Sequence, residues 1–389
     1  MKPSATYEMQ NCCSKDICRI VTKEQLLGQQ NCPQMHPKLL RYKASAPGSV
    51  MRLFKTAIFL LLMLPASMFA AKLREIAMLD IPGRPGFETL AFAKGFLVMA
   101  HNGAGTVDIF DPAKRRFVAQ ISGIVSARGV AVDDAANRVY IADAGTNAID
   151  VVDSNNWQVQ DRIQLSRAPE NLLIIPGTSN MIATNPYARS LTLVSRQIDR
   201  EMQVVDIGGH PDLMAYDPIR NAVFVTVEDQ NEIVAYATSL ERDAKPLSTL
   251  KINGSEPTGI ILNPTSRTLF VAIRFAVLAI DADSGAELSR VPVTGGTDRL
   301  WLDSTGGALY AASSDGTVTT IKVNGRQLAY DSEVKTDVKG HSLAFDPERK
   351  LIYVPGGREG RSKMVILKQF GALPVTSDEI KTAAVKRSF

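Results

Sequence analysis

The sequence predicts an all-β fold of seven four-stranded antiparallel blades. Three observations carry this. One apolar position recurs as Leu90, Val130, Leu172, Met214, Ile260, Leu300 and Leu343, at spacings of 40, 42, 42, 46, 40 and 43 residues. Around each copy lie short apolar or β-branched runs broken by polar turns, and four strands about every 42 residues is the period of a propeller blade. From Lys72 to Phe370 no segment carries a sustained helical period.

The unit beginning at Ala127, "ARGVAVDDAANRVYIADAGTNAIDVVD", shows the grammar. An apolar run forms strand A. A turn follows, often Asp-Pro or Asn-Pro, as at Asp217-Pro218, Asn263-Pro264 and Asp346-Pro347. Strand B is β-branched and aromatic, as in "VYIA", "VFVT", "LFVA" and "IYVP". A polar loop leads to strand C, "AIDVVD" in this unit, and a more variable strand D follows. The seventh unit shows only three strands. The segment 73–81, "LREIAMLDI", precedes the first strand A and is left without a partner. It is predicted to join the last blade, closing the ring and removing an exposed edge.

Four segments are expected along the chain. Residues 1–50 lack periodicity and read as a gene-model extension or disordered leader. They hold all four cysteines, Cys12, Cys13, Cys18 and Cys32, whose spacing with His36 matches no tight zinc pattern. Residues 51–71, "MRLFKTAIFLLLMLPASMFAA", read as a signal peptide: two basic residues, an apolar stretch too short to span a bilayer comfortably, and small residues near a cut. An uncleaved N-terminal anchor is the alternative. Residues 72–370 form the propeller, and 371–389 are a tail. A periplasmic or secreted bacterial location follows from the signal peptide, with no membrane span after its removal.

The formal net charge of +4 belongs to the front end. From Lys72 onward there are 35 basic and 37 acidic residues, a net of −2. That balance argues against nucleic acid as a general partner.

In a propeller, the segments before strand A and the B–C loops meet on one face. The residues two before the recurrent apolar position are Glu88, Arg128, Glu170, Asp212, Thr258, Asp298 and His341. All are polar and six are ionisable, so they form a candidate ligand site at the mouth of the central channel. The plainer alternative is that polar lining solvates the channel. His101, Asp143, Asn185 and Arg274 are expected on the B–C loops of the same face. Glu88, Asn171 and Asp212 are candidate ligands for Ca²⁺ or another divalent ion, because hard cations take oxygen donors.

The pieces "PTGIILNP", "GVAVDDAANRVYIAD", "AIDVVD" and "GHSLAFDPERKLIYV" resemble the YVTN-type repeats of YncE-like bacterial β-propellers. The resemblance spans about Leu73 to Phe370. It implies an exported, monomeric, non-catalytic protein that binds a protein partner or small-molecule ligand. A second resemblance lies in "HPDLMAYD", which looks like the Pro-Asp-Gly-Met-x-x-Asp stretch of regucalcin/gluconolactonase-like propellers. It implies a divalent-metal-dependent lactonase-like hydrolase with Asp212 on the metal. Leu213 in place of the glycine, and seven blades in place of six, depart from that pattern. A third possibility, single-stranded DNA binding, would use Arg128, Arg274, Arg299 and Arg358 with Tyr187 and Phe275.

Overall fold

The computed structural model describes residues 72–370. The expected extension, signal peptide and tail lie outside the described residues. β1 (Lys72–Asp80) comes first in the chain and last in the ring. Blade 1 is β2 (Leu90–Ala93), β3 (Phe96–His101), β4 (Thr106–Asp111) and β5 (Arg116–Ser122). Blade 2 is β6 (Ala127–Asp133), β7 (Arg138–Asp143), β8 (Ala148–Asp153) and β9 (Gln158–Gln164). Blade 3 is β10 (Leu172–Ile174), β11 (Asn180–Asn185), β12 (Ser190–Ser195) and β13 (Arg200–Asp206). Blade 4 is β14 (Pro211–Asp217), β15 (Ala222–Val227), β16 (Glu232–Ala237) and β17 (Ser248–Lys251). Blade 5 is β18 (Ile260–Asn263), β19 (Thr268–Ile273), β20 (Ala276–Asp281) and β21 (Glu287–Pro292). Blade 6 is β22 (Leu300–Asp303), β23 (Ala308–Ala312), β24 (Thr317–Asn324) and β25 (Gln327–Lys335). Blade 7 is β26 (Ala344–Asp346), β27 (Leu351–Arg358) and β28 (Arg361–Phe370), completed by β1.

The predicted closure is present. β1 runs antiparallel to β28 from Lys72 opposite Phe370 to Asp80 opposite Lys363, with a bulge between Glu75 and Ala77. An Asp80–Lys363 ion pair marks the end of this ladder. Beyond it Ile81 N donates to Ser362 O at 3.0 Å.

Burial follows strand position. The B strands are enclosed on both faces, which is why they read as unbroken apolar runs; β15 is buried at every residue. The D strands face solvent, and β9 buries only Ile163. The core is divided into seven apolar clusters, one at each interface between neighbouring blades. The cluster between blades 7 and 1 joins Leu97, Met99 and Phe110 to Tyr353, Met364 and Ile366. Each blade stacks only on its neighbours, so loss of one interface opens the ring.

The A–B turns explain the Asp-Pro and Asn-Pro signals. Asp217 Oδ1 accepts from Ile219 N at 3.0 Å, Asn263 Oδ1 from Thr265 N at 3.1 Å, and Asp346 Oδ1 from Glu348 N at 3.0 Å. Asp217 also takes a cation from the next blade. Fully buried Asp217 receives Arg267 Nη1 on both oxygens at 2.8 Å, and Arg267 also reaches Asp283 at 2.7 Å. Among the described residues no helix is long and apolar enough to cross a membrane.

Candidate ligand site at the channel mouth

The A strands surround the central axis. All seven recurrent apolar residues line one cavity of about 190 Å³, along with Thr89, Asn171, Arg299 and Trp301. The repeat spacing therefore marks a true ring. Two residues earlier in the chain, on or just before the A strands, stand the polar side chains of the mouth. There a second void, of about 30 Å³, is bordered by Glu88, Arg128, Glu170, Asn171, Asp212, Leu213, Asp298 and Arg299. It has room for about one water or one ion.

The backbone fixes these side chains by lacing each blade to the next. Thr89 N donates to Arg128 O at 3.2 Å, Thr258 Oγ1 to Thr297 O at 2.8 Å, and Asp298 N to His341 O at 3.3 Å. Gly129 is needed between Arg128 and Val130. A Cβ there would stand 2.5 Å from the Glu170 carbonyl oxygen. Gly259 plays the same part in blade 5, where a Cβ would stand 2.7 Å from Asp298 O. The glycine of the repeat is thus a packing requirement of the mouth.

Six of the seven predicted mouth residues are ionisable and interact with other groups there. Arg128 Nη1 reaches Glu88 Oε1 at 2.9 Å and Glu170 Oε1 at 3.8 Å. Asn171 Nδ2 donates to Asp212 Oδ1 at 3.0 Å. Arg299 crosses from blade 6 to bond the Asn171 amide oxygen. His341 pairs with Asp298 through Nδ1. Thr258 is the neutral member and is absorbed into the backbone lacing.

Two groups of residues bear on the ion balance. Burial, then the charges of Asp298, Glu170 and Glu228, push Asp212 up to about 8, against the pull of Arg299. Burial also raises Glu170, although Arg128 opposes it. Burial lowers Arg299, partly offset by Asp212 and Asp298. For His341, burial disfavours the charged ring, but contact with Asp298 and the field of Glu88 outweigh it and raise its pKa. Asp212 is only half-buried by accessible surface. That surface faces the narrow channel rather than bulk solvent, so the desolvation stands.

Three of the expected loop residues turn inward, which corrects their placement on the top face. His101, Asp143 and Asn185 end strands β3, β7 and β11, and each is fully buried. His101 stacks on Phe87 at 4.0 Å and is held by Asp108 and Arg84 O, both at 2.7 Å. Asp143 accepts from Ser126 N at 2.8 Å and from Thr146 Oγ1 at 2.8 Å, tying its loop to the preceding D–A loop. Asn185 donates to Thr192 Oγ1 at 2.7 Å. The physical reason is common to all three: the last residue of a B strand is enclosed, so its polar group is spent on nearby loop backbone or on strand C. Arg274 is exposed beyond β19, beside Glu256 at 3.1 Å and over the Phe275 ring.

Arg299 is the residue that the repeat alignment under-weighted. It lies one position before the recurrent apolar residue of blade 6, the slot that Asn171 fills in blade 3. A second column read beside the first would have shown both. Among the metal candidates, Asn171 commits its amide atoms to Arg299 and Asp212, which places a guanidinium beside Asp212.

No protein-family model matches the chain, and no curated protein matches it. Among solved structures it is similar to a chain of Kuenenia stuttgartiensis hydrazine synthase. The TM-score is 0.64 at 13% identity, over 76% of this chain and 98% of that one. That likeness supports the propeller fold.

Proposed function

We propose that this protein is an exported, monomeric, non-catalytic β-propeller of the YncE-like kind, which binds a protein partner or small-molecule ligand at its channel mouth. One observation carries the reading. Ionisable side chains from five blades, with Asn171 from blade 3, converge on one small void, and one of them, Asp212, is held far above its ordinary range by burial and neighbouring acids. Solvating a channel requires polar groups; it does not require ionisable groups paired across blades.

Two experiments test this. Fused ahead of a reporter enzyme active only after export, residues 51–71 should yield activity; an inactive fusion rejects the exported location. Native mass spectrometry of the full chain from bacterial cells should show a noncovalent adduct. Arg128→Met combined with Arg299→Met should remove it. An identical spectrum for both proteins rejects the mouth as the site.

A lactonase-like hydrolase is the second reading. Glu88, Asn171 and Asp212 do border the same void. It requires Ca²⁺ to displace Arg299 from Asn171. Stabilisation by Ca²⁺ that is lost in Asp212→Ala would favour it.

A further inference from the structure

We propose that the mouth holds a first-row divalent transition-metal ion on Glu88, Asp298 and His341. These residues come from blades 1, 6 and 7, three neighbours around the ring. Their ligand atoms, two carboxylate oxygens and an imidazole nitrogen, all lie within 4.8 Å of one another. Donors around one tetrahedral ion lie roughly 3.3 Å apart, so modest side-chain rotation brings them to an ion. This donor set differs from the lactonase-type set, sharing only Glu88 with it.

Three further features favour an ion. The first is the state of His341 Nδ1. It is shut off from solvent and paired with Asp298 Oδ2. Two of the three donor atoms are thus already side by side, and a metal would replace the proton between them. The second is charge. Glu88, Glu170, Asp212 and Asp298 face only two guanidiniums, Arg128 and Arg299. Glu88 and Asp298 are the carboxylates that a divalent cation would offset there. The third is space. The single-ion void is bordered by Glu88 and Asp298. Arg128 bonds only Oε1 of Glu88, leaving its second oxygen for the ion.

The donor chemistry selects the metal. Imidazole with carboxylates suits Zn²⁺, Mn²⁺ or Fe²⁺ better than Ca²⁺, whose ligands are all oxygen. Three protein donors leave a coordination position open. An anionic group of a bound ligand would take it. The inference therefore deepens the reading of the mouth as a binding site, and rests on it.

The test is a Co²⁺ titration of the chelator-treated full-length chain, followed by visible absorption and thermal unfolding. Wild type should take up one equivalent with d–d bands free of thiolate charge transfer, which separates this site from the cysteines before residue 51. Asp298→Asn and His341→Gln preserve size and polarity, and each should weaken uptake by about tenfold or more. Circular dichroism confirms that the variants fold; Glu88→Gln replaces either one that does not. No thiolate-free uptake by wild type, or uptake unchanged in the folded variants, overturns the proposal. Metal uptake without any native-mass adduct leaves the ion in place and removes the ligand-binding reading. An adduct on a chain that takes up no Co²⁺ does the reverse.

Discussion

Replacing Asp212 with asparagine should stabilise the protein, and the gain should grow with pH. The carboxyl is surrounded by protein and acids, and its pKa stands at about 8 against an ordinary 3.8. The folded state therefore binds a proton more tightly than the unfolded chain. Between these two values the unfolded chain carries fewer protons, so stability falls as pH rises from about 4 to about 8. The full displacement corresponds to a ceiling of about 6 kcal/mol at roughly 1.4 kcal/mol per tenfold. The channel admits water, which screens the charge, and about half that value, ~3 kcal/mol, is the working figure. Asparagine keeps an oxygen for Asn171 Nδ2, the 3.0 Å bond that Asp212 now accepts. The assay is thermal unfolding of wild type and Asp212→Asn in chelator at pH 4.5 and pH 8.5. Near pH 4.5 the two should melt together within ~2 °C, and near pH 8.5 the variant should melt roughly 5 °C higher. A difference that is constant with pH, or that favours wild type at high pH, refutes the buried-acid account.

Other consequences follow from the same structure. Arg267→Met leaves the buried Asp217 carboxylate without its bidentate partner, at a cost of about 3–5 kcal/mol, seen as a melting point lower by roughly 5–15 °C. Deleting residues 72–80 strips β1 from β28 and exposes a ten-residue edge strand. Concentration-dependent association in light scattering is expected, and an unaltered monomer would contradict the closure. Gly129→Val forces a side chain against Glu170 O. It should destabilise by about 1–3 kcal/mol and shift the Arg128 contacts, visible as altered Arg side-chain NMR resonances.

The fold was legible because its constraints repeat. Each unit needs an apolar residue facing the channel and a twice-covered B strand, and five of the seven add a turn carboxylate or amide before strand B. Leu300, Asp303 and Tyr310 show all three in blade 6. Even the closure could be read, because 73–81 had no other partner. The mouth was legible in part for the same reason: a fixed offset from a repeating position stays fixed in space. Pairing was not legible. Arg299 meets Asn171 across 128 positions of sequence, and nothing local to either residue encodes that approach. The strand-end residues failed for a related reason. His101, Asp143 and Asn185 are polar and adjoin loops, which reads as exposure, yet each is fully buried.

The most direct measurement is a crystal structure of the full chain purified without chelators, with diffraction recorded above and below the zinc absorption edge. The account predicts density at the mouth in contact with Glu88, Asp298 and His341, with an anomalous signal for the ion and a ligand group or water beyond it. A mouth holding only ordered water within a closed ring of ion pairs, in crystals of protein that also carries no native-mass adduct, would contradict it.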